Sequence, residues 1–479
     1  MTSDSGALED IYSQHHFVND SLHAVAPSLR DGQCDVCSGN VYTASMLNAL
    51  QQGLVEKEDI NLALSHTLKL RMRLGLFDPP SATPYWSVPL SEVGTPESQA
   101  LNLLSTQSSM VLLKHDGKTL PLPVGKKIAV IGPHGNATNA LVGNYLGQLC
   151  PDNSFKCIVS PFLALTAANT GGSTTYTAGC KSVTSNSTDG FPDAIAAARD
   201  ADVIVLALGI DLTVEGESHD RTDIGLPGAQ HALAMAITAL GKPTVLFILR
   251  GGVIDIGAEL ASPAIGAVLD AGYPGFLGGV VIAQTLLGQN HHLGGKLAQT
   301  YYTNDYVKSI SMTDMELDSG VGRGYRFFTG KPLLPFGHGL SLTTFTITRA
   351  SGPPTASLLA ENAPSTLLLY SIVVENTGGV AGDEVVQAYF CPLATPSQPD
   401  SKLIKQLFGY ERVHLAPGER VAVNFTVSSE TLRLVDKESG DLVSTPGSFD
   451  LIFTDGVDQI IHNRITVSGS QVLVKKFPY

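Results

Sequence analysis

Four runs of almost unbroken apolar residues, KIAVIG (127–132), DVIVLAL (202–208), PTVLFIL (243–249) and IGAVLDA (265–271), alternate with helix-like segments. The intervening segments are DAIAAARD (193–200) and GAQHALAMAITAL (228–240), and LGGVVIAQTLLG (277–288) follows the last run. A strand that is apolar on both faces must be covered on both faces. Helices lying between such strands provide the cover, so the pattern predicts a mostly parallel sheet between two helical layers. Ligands of such sheets gather in the loops at the carboxyl ends of the strands.

The rest of the chain has a different texture, and 479 residues are too many for one ordinary domain. Residues 1–76 read as loop and helix. TASMLNALQQGLV (43–55) is followed by a longer helix over 56–75, in which Ile60, Leu64, Leu68 and Met72 form a stripe that must bury, with little before it to pack on. Acidic residues open this helix, Arg71 and Arg73 close it, and Gly75 with Pro79-Pro80 ends it. Residues 77–97 are a Pro- and Ser-rich linker, and a helix follows from Glu97 to about Leu113. The alternating domain spans 98–305, and 306–343 is a connecting segment. From 344 to 479 short alternating stretches such as TLLLYSIVVENTG, DEVVQAYFCP and ERVAVNFTV predict an all-β sandwich.

The net charge of −14 and the lack of a basic run argue against a nucleic-acid partner. No apolar stretch is long enough to span a bilayer; the nearest, 243–257, is interrupted by Arg250. No secretory signal is visible at the start, yet Asn19, Asn136, Asn186 and Asn424 all head glycosylation sequons. Cys150 and Cys157 flank a short polar loop that a disulfide could close. Cys34 and Cys37 have CxxC spacing, without the second pair a zinc site needs or the βαβ context of a redox site.

Three motifs bear on function. IGPHGN (131–136) follows a strand but lacks GxGxxG spacing, so a tight turn is the better reading than a phosphate cradle or a nucleotide-binding Rossmann site. VEGESHDRTD (214–223), just past a strand end, crowds Glu215, Glu217, Asp220, Arg221 and Asp223 around His219. It reads either as a solvated surface loop or as a place where a carboxylic acid is tuned to donate a proton. TSDSGALED (2–10) is open between a helix cap at Asp4 or Ser5 and a working carboxylate. No GxSxG elbow supports a serine hydrolase.

Several stretches resemble glycoside hydrolase family 3, in the branch that holds plant and fungal β-xylosidases. TSDSGALEDIY resembles the segment carrying the family's nucleophile, and QGLVEKEDINLALSHTLKLRMRLGLFD the last helices of its first domain. SSMVLLKHDGKTLPL (108–122) is similar to the start of its second domain, and GIDLTVEGESHDRTDIGLPGAQ (209–230) to its acid/base loop. GYRFFTGKPLLPFGHGLSLTTF, ENTGGVAGDEVVQAYF and KQLFGYERVHLAPGE resemble the lead-in and body of its fibronectin type III-like domain.

The resemblance implies three parts: the C-terminal remnant of a (β/α)₈-type barrel, an α/β sandwich domain, and a fibronectin type III-like β-sandwich. It implies a retaining, exo-acting β-1,4-xylosidase of xylo-oligosaccharides, with β-glucosidase, α-L-arabinofuranosidase or a non-catalytic fragment as alternatives. Asp4 falls at the nucleophile position and Glu217, four residues before Arg221, at that of the general acid/base, across an interdomain cleft. No metal or organic cofactor is required, and the full-length parent would be secreted. The chain starts near the end of roughly the seventh barrel strand, so the family's Lys-His pair and Arg that hold the sugar have no positions here. Ser5 stands where relatives have Cys or Trp, and His292-Leu293-Gly294-Gly295 replaces an Asn-Pro-Gly-Gly-like turn. The expectation is a shortened family member with little activity alone.

Overall fold

The computed structural model describes residues 1–217, 219–360, 367–394 and 402–477. The chain divides into two compact units, Met1–Thr95 and Pro96–Tyr479.

The first unit is helical: α1 (Ala7–Ser13), α2 (Ser21–Ala26), a π-helical turn at Pro27–Asp31, α3 (Val41–Gln51) and α4 (Lys57–Arg73). Leu8, Val25, Leu29, Val41, Ala49 and Val55 form its core. A reciprocal capping box between Glu56 and Asp59 starts α4, satisfying amide donors that helix geometry orphans. The helix turns Ala63 inward, while Leu64, Leu68 and Met72 of the stripe are 51%, 42% and 66% exposed.

The second unit begins with α5 (Pro96–Ser109) and β1 (Val111–His115). The helix predicted to reach Leu113 thus ends earlier. Val111, Leu112 and Leu113 are buried, and Val111 and Leu112 pair with Asp270 and Leu269, a tertiary demand that overrides helical continuation. There follow β2 (Lys127–Ile131), α6 (Pro161–Ala168), β3 (Ser173–Thr177), α7 (Phe191–Asp200) and β4 (Val203–Gly209). Next come α8 (Gln230–Thr238), β5 (Thr244–Leu249), α9 (Gly257–Ala261), β6 (Ile265–Gly272) and α10 (Gly278–Leu286). The six strands lie in the order β1-β6-β5-β4-β2-β3, all neighbours parallel except the β1–β6 pair.

Successive residues of each strand serve opposite cores. Val130, Val205, Phe247 and Leu269 pack with α6 and α10, while Ile131, Leu206, Ile248 and Val268 pack with the α7 and α8 side. Each such side chain contributes about 1.5–3 kcal/mol on burial, which is why the strands read as unbroken apolar runs. The connection reverses direction between β2 and β4, opening a crevice there at the carboxyl end of the sheet.

The remainder is all-β. β7 (Phe345–Ser351), β8 (Thr355–Leu359), β9 (Leu368–Asn376), β10 (Gly382–Ala394), β11 (Gln406–Leu415) and β12 (Arg420–Val427) come first. They are followed by β13 (Leu434–Val435), β14 (Leu442–Ser444), β15 (Gly447–Thr454), β16 (Ile460–Ser468) and β17 (Val472–Lys475). A sheet ordered β11-β10-β15-β16-β8 faces one ordered β12-β9-β7, and alternate residues Tyr370, Ile372, Val374, Phe449, Leu451 and Phe453 fill the space between.

A buried ionic cluster ties the carboxyl ends of β5 and β6 together. Asp270 Oδ2 accepts from Arg250 Nε at 2.8 Å, Arg250 Nη2 at 2.5 Å and the Tyr301 hydroxyl at 2.8 Å, and its Oδ1 accepts from Gly272 N at 3.0 Å. The Arg250 guanidinium lies 4.8 Å above the Tyr301 ring. All three residues are buried.

Arg250→Met leaves this carboxylate uncompensated and is expected to cost about 3–5 kcal/mol. Calorimetry should show a lowered melting temperature that the double variant Arg250→Met/Asp270→Leu largely restores. A single variant that melts like the parent would contradict the role.

Candidate active site

The loop after β4 starts at Gly209, whose φ of 137° and close approach to β5 leave no room for a side chain: a Cβ there would lie 2.0 Å from Leu249 O. Asp211 then folds the chain by accepting from Thr213 N at 2.9 Å and Thr213 Oγ1 at 2.6 Å. Glu215 follows, in that turn.

The two glutamates of this loop have different surroundings. The Glu215 carboxylate accepts from the Gly251 amide at 3.0 Å, from the Gly252 amide, and from Arg221 Nη2 at 2.8 Å. Arg221 Nη2 also donates to Val253 O at 2.8 Å. Glu215 therefore fastens the loop to the end of β5. Glu217 sits in a tight turn closed by His219 N donating to Gly216 O at 3.0 Å, and it is exposed. Its Oε2 accepts from the Tyr145 hydroxyl at 2.6 Å. Ser218 lies outside the described residues.

A cleft of about 440 Å³ opens beside this loop, lined among others by Asn144, Glu215, His219, Arg221, Gly252 and Tyr273. Arg221 Nη1 and the Tyr273 hydroxyl are buried without a partner among the described residues. Burial, with Glu215 nearby, pushes the Tyr273 phenol above the ordinary tyrosine range. It stays a neutral donor, buried beside the cleft. A larger cavity of about 990 Å³, between residues 315–327 and the β-sandwich, shares no residue with this loop.

Asp4 belongs to the first unit. Ser3 N donates to Val36 O at 2.9 Å, Ser38 N to Ser3 Oγ at 2.9 Å, and Gly6 N to Ser38 O at 2.8 Å, so residues 3–6 are held along 36–38. Asp4 is exposed, and its Oδ1 accepts from Ser5 N at 2.7 Å. The cap of α1 is Gly6, at φ 77° and with no capping side chain, so neither Asp4 nor Ser5 caps the helix. Cys34 and Cys37 are free thiols, while Cys150 and Cys157 are joined.

Sequence reasoning singled out Glu215, Glu217 and Arg221 but missed Tyr145, Tyr273 and the Gly251-Gly252 amides. Tyr145 left one trace, a tyrosine among loop glycines in VGNYLG; the structure gives it a φ of 53°, rare for a bulky residue. His134, at the β2–β4 crevice in the turn read from IGPHGN, is 1% exposed, and its Nε2 has no partner among the described residues.

Burial pushes the His134 imidazole down to about 4 against a weaker opposing pull from Asp211. The unfolded chain takes up this proton below about pH 6.5 and the folded chain only below about 4. Stability is thus complete above pH 6.5 and falls as pH drops through that window, by about 3 kcal/mol for this group. Melting curves of His134→Asn should show a shallower decline between pH 6.5 and 4 than the parent. Parallel curves would remove the histidine from the account.

The chain has relatives among known proteins. Residues 110–342 match the glycosyl hydrolase family 3 C-terminal domain, and 384–455 match a fibronectin type III-like domain. The chain is 38% identical, over its whole length, to a probable exo-1,4-beta-xylosidase of Aspergillus flavus. It is 36% identical to an exo-1,4-beta-xylosidase of Emericella nidulans. It spans 61% and 62% of those relatives. A solved GH3 exo-beta-xylosidase (XlnD), in complex with a xylobiose aziridine activity-based probe, superposes with a TM-score of 0.87 at 28% identity. That match covers 100% of this chain and 62% of the other. A beta-glucosidase from Listeria innocua in complex with glucose superposes at 0.80 with 25% identity, over 98% of this chain and 63% of its own.

Proposed function

Since the chain belongs to glycoside hydrolase family 3, we propose that it serves a retaining, exo-acting β-glycosidase, a β-1,4-xylosidase that releases xylose from the ends of xylo-oligosaccharides. The observation that carries this reading is the division of labour between Glu215 and Glu217. An acid/base residue must reach substrate and exchange protons with water. Glu217, exposed and held by one phenolic hydrogen bond, can do so, whereas Glu215 is consumed by Arg221 and two amides.

In this proposal Glu217 protonates the departing glycosidic oxygen as Asp4 attacks the anomeric carbon and forms a glycosyl ester. Glu217 then takes a proton from water, which attacks the anomeric carbon, breaks its bond to the Asp4 carboxylate and frees the sugar. The unpartnered donors of Arg221 and Tyr273 suit sugar hydroxyls. The names of the relatives support xylose, and the Listeria innocua neighbour keeps glucose as a second reading.

The full chain should be assayed on aryl β-xyloside, β-glucoside and α-L-arabinofuranoside, with xyloside expected to be turned over fastest. Glu217→Gln should lower kcat/KM on xylobiose by about 10²–10⁴, Asp4→Asn should remove turnover, and Glu215→Gln should mainly lower the melting temperature. Turnover fastest on a substrate other than the xyloside, or unchanged turnover in both Asp4 and Glu217 variants, sinks the proposal.

We also propose that the protein is secreted and glycosylated. Asn19, Asn136, Asn186 and Asn424 are all exposed, and the Cys150–Cys157 disulfide suits an oxidising compartment. Secreted yeast-expressed protein should lose mass on endoglycosidase treatment; an unchanged mass would refute glycosylation.

A further inference from the structure

The seam between the α/β domain and the β-sandwich carries a second cluster of chemistry-bearing side chains that the glycosidase reading does not use. Asp383 on β10 and His414 on β11 are direct cross-strand partners in the antiparallel ladder, the arrangement that brings side chains on one face closest together. The loop after α10 brings His292 to the same place. The Nδ1 atoms of both histidines face one oxygen, Asp383 Oδ1, at 3.5 Å from His292 and 2.5 Å from His414. The two rings lie 5.0 Å apart, and one donor atom from each of the three residues falls within 4.8 Å of the others.

We propose that His292, Asp383 and His414 bind one divalent transition-metal ion, zinc by preference, and that the ion clamps the β-sandwich to the α/β domain. The donor set decides the class of ion. Two imidazoles and a carboxylate suit zinc and its neighbours, with water as a fourth ligand. Calcium and magnesium demand more oxygen donors than this site holds. In a tetrahedral zinc site with bonds of about 2.0–2.1 Å, donor atoms stand roughly 3.3 Å apart. The His292–Asp383 separation already matches this. The His414 contact is a hydrogen bond that must open by somewhat under about 1 Å, and the half-exposed His414 ring has room to swing and gives the ion a path from solvent.

The surrounding shell is formed too. Arg412 Nε donates to Asp383 Oδ2 at 2.7 Å, leaving Oδ1 for the ion and fixing the carboxylate plane. The same guanidinium donates to His292 O at 2.7 Å and Ser108 O at 3.1 Å, which positions the loop bearing His292.

The test uses the full chain stripped by chelator and titrated with Co²⁺ alone and then Zn²⁺. One Co²⁺ per chain should bind with the visible absorption of a low-coordinate site, zinc should abolish that absorption, and zinc should raise the melting temperature of the parent. His292→Asn and His414→Gln should each weaken Co²⁺ affinity by more than about tenfold. His414 is exposed enough for its variant to fold, which the metal-free melting curve verifies. No cobalt absorption in the parent, or parental affinity in both variants, overturns the proposal.

Discussion

Arg250, Tyr301 and the Gly272 amide share one buried carboxylate, that of Asp270, beneath the carboxyl end of the sheet, and the geometry of the loops above follows from it. Asp270 sits at the end of β6, Arg250 directly after β5, and Tyr301 beyond α10. An ion pair this deep is costly to assemble and costlier to break by halves, because either partner alone is a buried charge. It therefore fixes the direction in which the chain leaves β5. The next two residues are Gly251 and Gly252, whose amides hold Glu215. A side chain at Gly252 would come within 2.5 Å of both Arg221 and Glu215. The order of dependence runs from the ion pair to the glycine turn, from the turn to Glu215, and from Glu215 to the tip that presents Glu217.

Two carboxylates two residues apart can perform different work only if their environments differ. Charge-assisted bonds to Glu215 satisfy its oxygens and anchor the loop; each such bond contributes about 1.5–3 kcal/mol. Glu217 has a single neutral donor, Tyr145. A carboxylate fastened as Glu215 is has its oxygens occupied, and one with no fastening at all would lose its aim. The pairing of an anchored glutamate with an exposed one resolves that conflict within residues 215–221.

What could be read from the chain alone follows from where the signal resides. The strands β2, β4, β5 and β6 were legible because burial on both faces demands apolar runs. The edge strand β3, STTYT, carries no such demand: its residues are exposed or half-buried, and its only pairing is with β2. β1 was hidden behind α5 because a short apolar run after a helix has no periodicity of its own. The sandwich was legible through alternation, and Glu217 was singled out only by the resemblance of its loop to the family's acid/base segment. The partners from other loops were not, since Tyr145 and Tyr273 reach the site by topology, and nothing in the order of residues records that meeting. The same holds for His292, Asp383 and His414, which only the seam brings together.

That seam also explains what the β-sandwich contributes. It is closely fitted and polar. Lys296 pairs with the buried Glu384 at 2.7 Å and donates to Gly339 O at 2.7 Å, and Gln387 donates to Gly337 O at 2.9 Å. A Cβ at Gly337 would come within 2.0 Å of Gln387, and one at Gly294 within 2.5 Å of Asp383 O. An apolar seam of this closeness could slide among similar packings, whereas hydrogen bonds across glycine contacts have one register. Residues 293–301, which run along this seam, end at Tyr301, the donor to Asp270. The sandwich thereby steadies the segment that carries one of the three groups on the buried carboxylate, and through it the turn at Gly251 and the loop of Glu217. Its influence on the candidate active site is exerted through the placement of Tyr301, with no sandwich residue lining the cleft among those described.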